Sequence, residues 1–119
     1  MLSAPPKRWY VYIVDLTPRV GAKPGKQCPC VAIQPSEFGA AGHPSTVILP
    51  LTTRVLGDAA YPLRVSIPAG TAGIQRGSEV LVDQILAWDN ALFREELGVL
   101  PEALQERVRA ALTEFLDQA

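Results

Sequence analysis

The sequence predicts a mainly β chain closed by a C-terminal helix, folded as a small curled sheet or barrel. Three observations lead there. Short runs dense in β-branched and aromatic residues recur between Trp9 and Leu86. Eleven prolines and nine glycines divide 119 residues into short pieces with frequent turns. A single stretch of helical periodicity then occupies the end of the chain.

Taken in order, residues 1–6 read as a flexible arm, and residues 9–16, WYVYIVDL, as a strand. Residues 19–27, RVGAKPGKQ, form a loop rich in Gly and Pro that carries Arg19, Lys23 and Lys26. No acid lies between Asp15 and Glu37, so the loop suits contact with phosphate, or is simply a solvated basic loop. Residues 31–34 and 46–49 are two central strands, with an irregular connection over 35–44 in which Gly39 and Gly42 supply turn positions. Pro50 lacks a donor and belongs at an edge or bulge. Residues 63–67, LRVSI, alternate apolar and polar and predict a half-buried strand.

Residues 79–86, EVLVDQIL, predict one further strand with Asp83 and Gln84 in its middle. Buried polar groups need partners, so these two either bond loop backbone or orient a site. Asp89 or Asn90 can cap a short helical turn through Leu97, which Gly98 stops. Pro101 opens a helix over 101–116. Leu104, Val108, Leu112 and Phe115, with Ala111 and Leu116, form its apolar stripe, which should pack on the sheet or on a second subunit.

Composition narrows the function classes. Hydrophobic residues make up 48% and charged residues 19%, a globular balance that excludes a disordered chain and suits one domain with a modest core. No apolar run approaches the ~20 residues that span a bilayer, and the N-terminal MLSAPPKR has no hydrophobic signal core, so the expected location is the cytoplasm. Net charge is −1, which argues against a generic polyanion binder. Its distribution is uneven. Residues 1–78 hold eight Lys/Arg against three acids, and residues 79–119 hold three Arg against nine acids. Either a basic and an acidic face result, or folding interleaves the charges.

Several chemistries lack their residues. His43 is the one histidine and sits in the loop between the central strands, which argues against a two-histidine ribonuclease and a Ser-His-Asp triad. There is no Gly-rich nucleotide loop. Cys28 and Cys30 form one C-x-C pair, too few ligands for structural zinc and too close for an unstrained disulfide. They read as reduced thiols, and neither metal nor cofactor is expected. The pair lies before the first central strand and Thr52-Thr53-Arg54 lies after the second. In a hairpin those two ends meet at one edge.

WYVYIVDLTPRVG, KPGKQCPCVAIQPSEF, STVILPLTTR, LRVSIPAG and SEVLVDQILAWD, in this order, resemble successive blocks of the MazF/PemK toxin endoribonucleases over nearly the whole chain. The resemblance implies one toxin domain over 1–119, an SH3-like β-barrel with a C-terminal helix, and a homodimer. It implies metal-independent, sequence-specific cutting of single-stranded RNA or mRNA to a 2′,3′-cyclic phosphate and a 5′-OH. It also implies a cognate MazE-like antitoxin that masks the RNA site, with operator DNA bound only through that complex.

Thr52 matches the family's active-site threonine, and Gln84 a glutamine implicated in RNA contact; Thr53, Arg19, Lys23 and Lys26 are further candidates for RNA contact. Thr52 also has a plainer reading, as a strand-end threonine bonded to backbone. Two departures stand out. Cys28-Pro29 occupies the place of the family's Arg-Pro, and a thiol lacks the charged fork that holds phosphate. Arg8-Trp9-Tyr10 replaces an Arg-Gly-acid pattern. Cys28 therefore marks a natural weak toxin or non-catalytic relative, or else an inactivating change in an Arg-bearing parent. The CcdB gyrase poisons share this barrel, so a non-catalytic module that binds antitoxin and operator, or inhibits gyrase, is the alternative.

Overall fold

The computed structural model describes residues 2–17 and 26–117. Among these, seven strands form one antiparallel sheet: β1 (Tyr10–Asp15), β2 (Gln27–Ala32), β3 (Ser45–Thr52), β4 (Arg64–Ile67), β5 (Ser78–Leu81), β6 (Leu86–Asp89) and β7 (Phe93–Val99). A short helix α1 (Ser36–Ala40) links β2 to β3, and α2 (Glu102–Phe115) closes the described chain. The strand order is β4-β5-β3-β2-β1-β7, with β6 also paired to β3. This bears out the predicted mainly β architecture with a C-terminal helix.

The sheet ends, β4 and β7, are brought together by contact rather than by a ladder. Gly73 has φ +78° in the turn after β4, and a Cβ there would stand 2.5 Å from the Leu97 carbonyl oxygen. A Cβ on Gly98 would stand 2.9 Å from the Ala72 carbonyl carbon. Only glycine lets these two backbones touch. The sheet is therefore curled without being a hydrogen-bonded closed barrel.

Strand alternation sorts the side chains into two cores. Val11, Val31, Leu49, Leu51, Val65, Ile67 and Val80 face α2, whose Val108 and Ala111 are buried among them. Tyr12, Val14, Cys30, Ala32, Ile48 and Phe93 form the second core on the opposite face. The predicted stripe of α2 is correct in its middle, whereas Phe115 and Leu116 at its end are exposed.

Several expectations change. β2 starts at Gln27, so Cys28-Pro29-Cys30 lies inside the strand, paired with β1 from Asp15 to Val11. The loop over 35–44 contains α1, and its Gly39 lies against Pro5, where a Cβ would stand 3.1 Å from the proline Cβ. With Pro6 buried as well, the N-terminal arm is packed against the fold. Phe93–Val99 is a strand; the capped turn before it is one 3-10 turn, Asn90–Leu92, whose cap Asp89 accepts from the Ala91 N–H at 2.9 Å. Trp9 has φ +70°, a conformation glycine adopts freely. Its indole is buried, with the guanidinium groups of Arg8 and Arg109 at 5.2 and 5.6 Å from the ring, so packing offsets the backbone cost.

The predicted strand 79–86 is two strands, and Pro50 explains the division. β3 pairs with β6 from Ser45 to Ile48 and with β5 at Leu51 and Thr52. Pro50 falls in the gap where β3 changes partners, so its missing N–H costs no ladder bond on that side. The chain crosses this gap by a turn, with the Gln84 N–H bonded to the Leu81 carbonyl at 3.2 Å. Asp83 and Gln84 are exposed on that turn and are not buried in a strand.

Candidate functional site

The gap between β5 and β6 opens a groove of about 720 Å³ over the ends of β2 and β3. Its wall includes Lys26, Cys28, Thr52 and Gln84, four of the residues singled out from the sequence. Antiparallel pairing of β2 with β3 accounts for the first meeting: Cys30 is opposite Pro50, and Cys28 Sγ lies 3.4 Å from the Leu51 carbonyl oxygen. The partner change at Pro50 accounts for the second, because it hangs the 82–85 turn over Thr52 and Cys28.

Each side chain is prepared differently. Thr52 Oγ1 accepts the Arg54 N–H at 3.1 Å, so its own proton remains free to donate. The backbone bond anticipated for a strand-end threonine and an available donor thus coexist. Lys26 is exposed at the foot of the basic loop. Its N–H donates to Thr17 Oγ1 and its carbonyl accepts the Leu16 N–H, which fixes where the ammonium stem starts. Cys28 is half-buried, and hydrogen bonding with the Cys30 thiol, then the Lys26 charge, draws it down to about 7 against the opposing effect of burial. The same bond and burial push Cys30 upward, leaving it a protonated core thiol.

Not all candidates join this groove. Thr53 points to the other face of the sheet, where it lines a separate groove of about 400 Å³ with Ile13, Pro29, Arg76 and Glu95. Thr53 is the first residue past the end of β3, in the bend where the chain leaves the strand. Arg19 and Lys23 lie outside the described residues. His43 is exposed, with its Nε2 3.4 Å from Ser45 Oγ. Among the described residues no three His, Cys, Asp or Glu side chains cluster as metal ligands, and no helix is long and apolar enough to cross a membrane.

Sequence reasoning passed over two groove residues. Trp88 donates its indole N–H to the Asp15 carbonyl at 2.8 Å and offers ring surface to the groove. Arg64 reaches the wall from β4 and forms an ion pair, at 3.2 Å, with Glu79, whose side chain is 1% exposed. The charge in the alternating LRVSI run was the visible signal, but its partner could be found only by pairing β4 with β5. Glu79 also accepts the N–H groups of Leu56 and Gly57, each at 3.0 Å. Burial works to raise its pKa, yet these bonds and Arg64 hold it below the ordinary carboxylate value. One acid of the acidic half is therefore folded into the basic half, and the sequence split does not map cleanly onto faces.

Comparison with known proteins agrees with this architecture. The family described as "PemK-like, MazF-like toxin of type II toxin-antitoxin system" matches residues 7–116. Endoribonuclease MazF6 of Mycobacterium tuberculosis is 32% identical over 107 residues, covering 90% of this chain and 93% of that protein. Endoribonuclease EndoA of Bacillus subtilis is 30% identical over 106 residues, covering 89% and 90%. The crystal structure of MazE-MazF (Form-II) from Deinococcus radiodurans superposes with a TM-score of 0.78 at 25% identity, over 96% of this chain and 97% of that one. By the extent of these matches and by its fold, the chain belongs to the PemK-like, MazF-like toxin family of type II toxin-antitoxin systems.

Proposed function

We infer that this chain is the toxin of a type II toxin-antitoxin pair and an endoribonuclease that cuts single-stranded RNA. The relatives named above are endoribonucleases. The observation that carries the reading is that Lys26, Cys28, Thr52 and Gln84 line one groove.

Cleavage of this kind breaks the P–O5′ bond as the ribose 2′-oxygen forms a bond to the same phosphorus. The 2′ proton is lost, the 5′ oxygen gains one, and charge builds on the non-bridging oxygens. The Thr52 hydroxyl donates to one of those oxygens, and the Lys26 ammonium offsets the phosphate charge. Gln84, on its exposed turn, offers both a donor and an acceptor to a base edge, and Trp88 offers a stacking surface. Leu56, Leu63, Leu81 and Leu86 add an apolar wall to the groove. Cys28 brings a titrating proton where the family has a fixed positive charge, so turnover is slow. No step is assigned to a metal.

The partner is a MazE-like antitoxin, in keeping with the MazE-MazF complex among the structural relatives. Operator DNA is bound only through that complex, the working unit is a homodimer, and the compartment is the cytoplasm. Arg19 and Lys23 remain candidates for RNA contact by their charge in the sequence. The direct test is a long single-stranded RNA incubated with the protein and a chelator, followed by mapping of the ends. Discrete cuts bearing 2′,3′-cyclic phosphate are expected. RNA binding without cuts would favour the second reading, a non-catalytic module, for which the Cys28 thiol is the specific observation.

A further inference from the structure

We propose that Arg64, held by the buried carboxylate of Glu79, grips the RNA phosphate in this chain, supplying the guanidinium that Cys28 does not. The proposal rests on the ribonuclease reading and names a residue for it.

The sheet register puts Arg64 within reach. Thr52 is opposite Glu79 in the β3–β5 ladder, and Glu79 is opposite Ser66 in the β5–β4 ladder. Directly opposed residues share a face, with Cβ atoms about 4.5–5.5 Å apart. Arg64 lies two residues before Ser66, on that same face, and its guanidinium turns back to Glu79. The cation thus sits beside the neighbour of Thr52, one strand from the hydroxyl, in the wall that Cys28 and Lys26 also line.

The guanidinium is also correctly presented. Nη1 alone makes both internal contacts, at 2.7 Å to the Arg54 carbonyl and 3.2 Å to Glu79. Nη2 and Nε donate to no acceptor among the described residues, and together they form the side-on fork that takes two phosphoryl oxygens. Glu79 is too buried to meet the substrate itself. It is a positioning residue: it aims Arg64, and through the Leu56 and Gly57 N–H groups it fixes the loop after Thr52. A solvated arginine would lose side-chain freedom on gripping phosphate, whereas this one has already lost it.

The test compares Arg64→Gln in two backgrounds, the present chain and Cys28→Arg, by single-turnover RNA cleavage. In the present chain a loss of about 10²–10³-fold is expected, the usual cost of one preorganised donor, with Arg64→Lys partly active. In the Cys28→Arg background, where a second guanidinium is present, the loss should fall below about tenfold. Glu79→Gln should lower cleavage when Arg64 is present and add nothing once Arg64 is glutamine. If the stranded Glu79 carboxylate unfolds Arg64→Gln, the double variant Arg64→Gln/Glu79→Gln removes that charge and takes its place.

Equal losses in both backgrounds, or no loss with an unchanged melting temperature, would overturn the proposal. If no protein in the set cuts RNA, the ribonuclease reading fails by itself. Binding of a 2′-O-methyl RNA then decides: at least tenfold weaker binding for Arg64→Gln, with under twofold for Arg76→Gln on the other face, supports the phosphate grip. Equal weakening by both variants, or none by either, refutes it.

Discussion

Cys28 and Pro29 are neighbours in the chain, as are Thr52 and Thr53, yet each pair divides between two grooves on opposite sides of the sheet. The larger groove receives Cys28 and Thr52, the cations Lys26 and Arg64, the latter paired with Glu79, and an apolar wall. The smaller receives Pro29 and Thr53 beside Arg76 and Glu95, with Gly73 at its edge. Cys28 and Pro29 part because neighbours inside β2 alternate faces, and Thr53 parts from Thr52 where the chain bends out of β3. The difference lies in what crosses overhead: the 82–85 turn roofs the first groove because β3 changes partners at Pro50. The second groove is bordered instead by the backbone contact between the Gly73 turn and β7. In the function proposed above the first region takes the ligand, whereas the second brings the sheet ends together.

The strongest way to sharpen this contrast is Cys28→Arg. It should raise cleavage of single-stranded RNA by about 10²–10³-fold, by placing a charged donor in the first groove. Equal, negligible rates in both proteins at matched melting temperature would sink the assignment of that groove. Next comes the threonine pair. In the Cys28→Arg background Thr52→Val should slow cleavage about 10²-fold, whereas Thr53→Val should change it less than about twofold, because its hydroxyl faces the other groove. Comparable losses would break the distinction between the two sides.

The second region should respond in stability instead. Gly73→Ala puts a Cβ 2.5 Å from the Leu97 carbonyl oxygen at φ +78°, and should cost roughly 2–4 kcal/mol by combining overpacking with left-handed strain. Urea unfolding measures this, and a change under about 0.5 kcal/mol would show that the sheet ends do not need the contact.

Acid titration separates the regions further. Glu79 has a folded pKa below its unfolded value, so its contribution is complete above the ordinary carboxylate value of about 4.3 and is lost as pH falls through the folded pKa. Melting temperature should fall more steeply with acid below that value in the present chain than in Glu79→Gln. Parallel curves would mean that the Arg64–Glu79 pair contributes nothing. The smallest effect is chemical. Iodoacetamide should label Cys28 in the first groove with a rate that rises with pH and levels off above about 7, since only the thiolate reacts. Buried Cys30 should stay unlabelled in the folded protein. Labelling of both at equal rates would contradict the burial pattern.

Local pattern was enough for much of this protein. The aromatic and β-branched run at 9–16, the alternation at 63–67 and the apolar stripe of α2 named their elements because each depends on neighbours within a few residues. The same pattern carried the family blocks, and with them Thr52 and Gln84 as candidates. It could not divide 79–86 into β5 and β6, because that boundary is set by where β3 exchanges partners, not by any residue inside the segment. Nor could it send Thr53 to the far side without knowing that Thr52 ends a strand in register with Glu79. The Arg64–Glu79 pair was beyond it for the same reason: two residues 15 apart become neighbours only through a ladder. Sequence named candidate residues for the chemistry and most of the segments that extend or coil. Tertiary structure decided which of them share a groove, because strand pairing is non-local and shifting a register by one residue reverses every face.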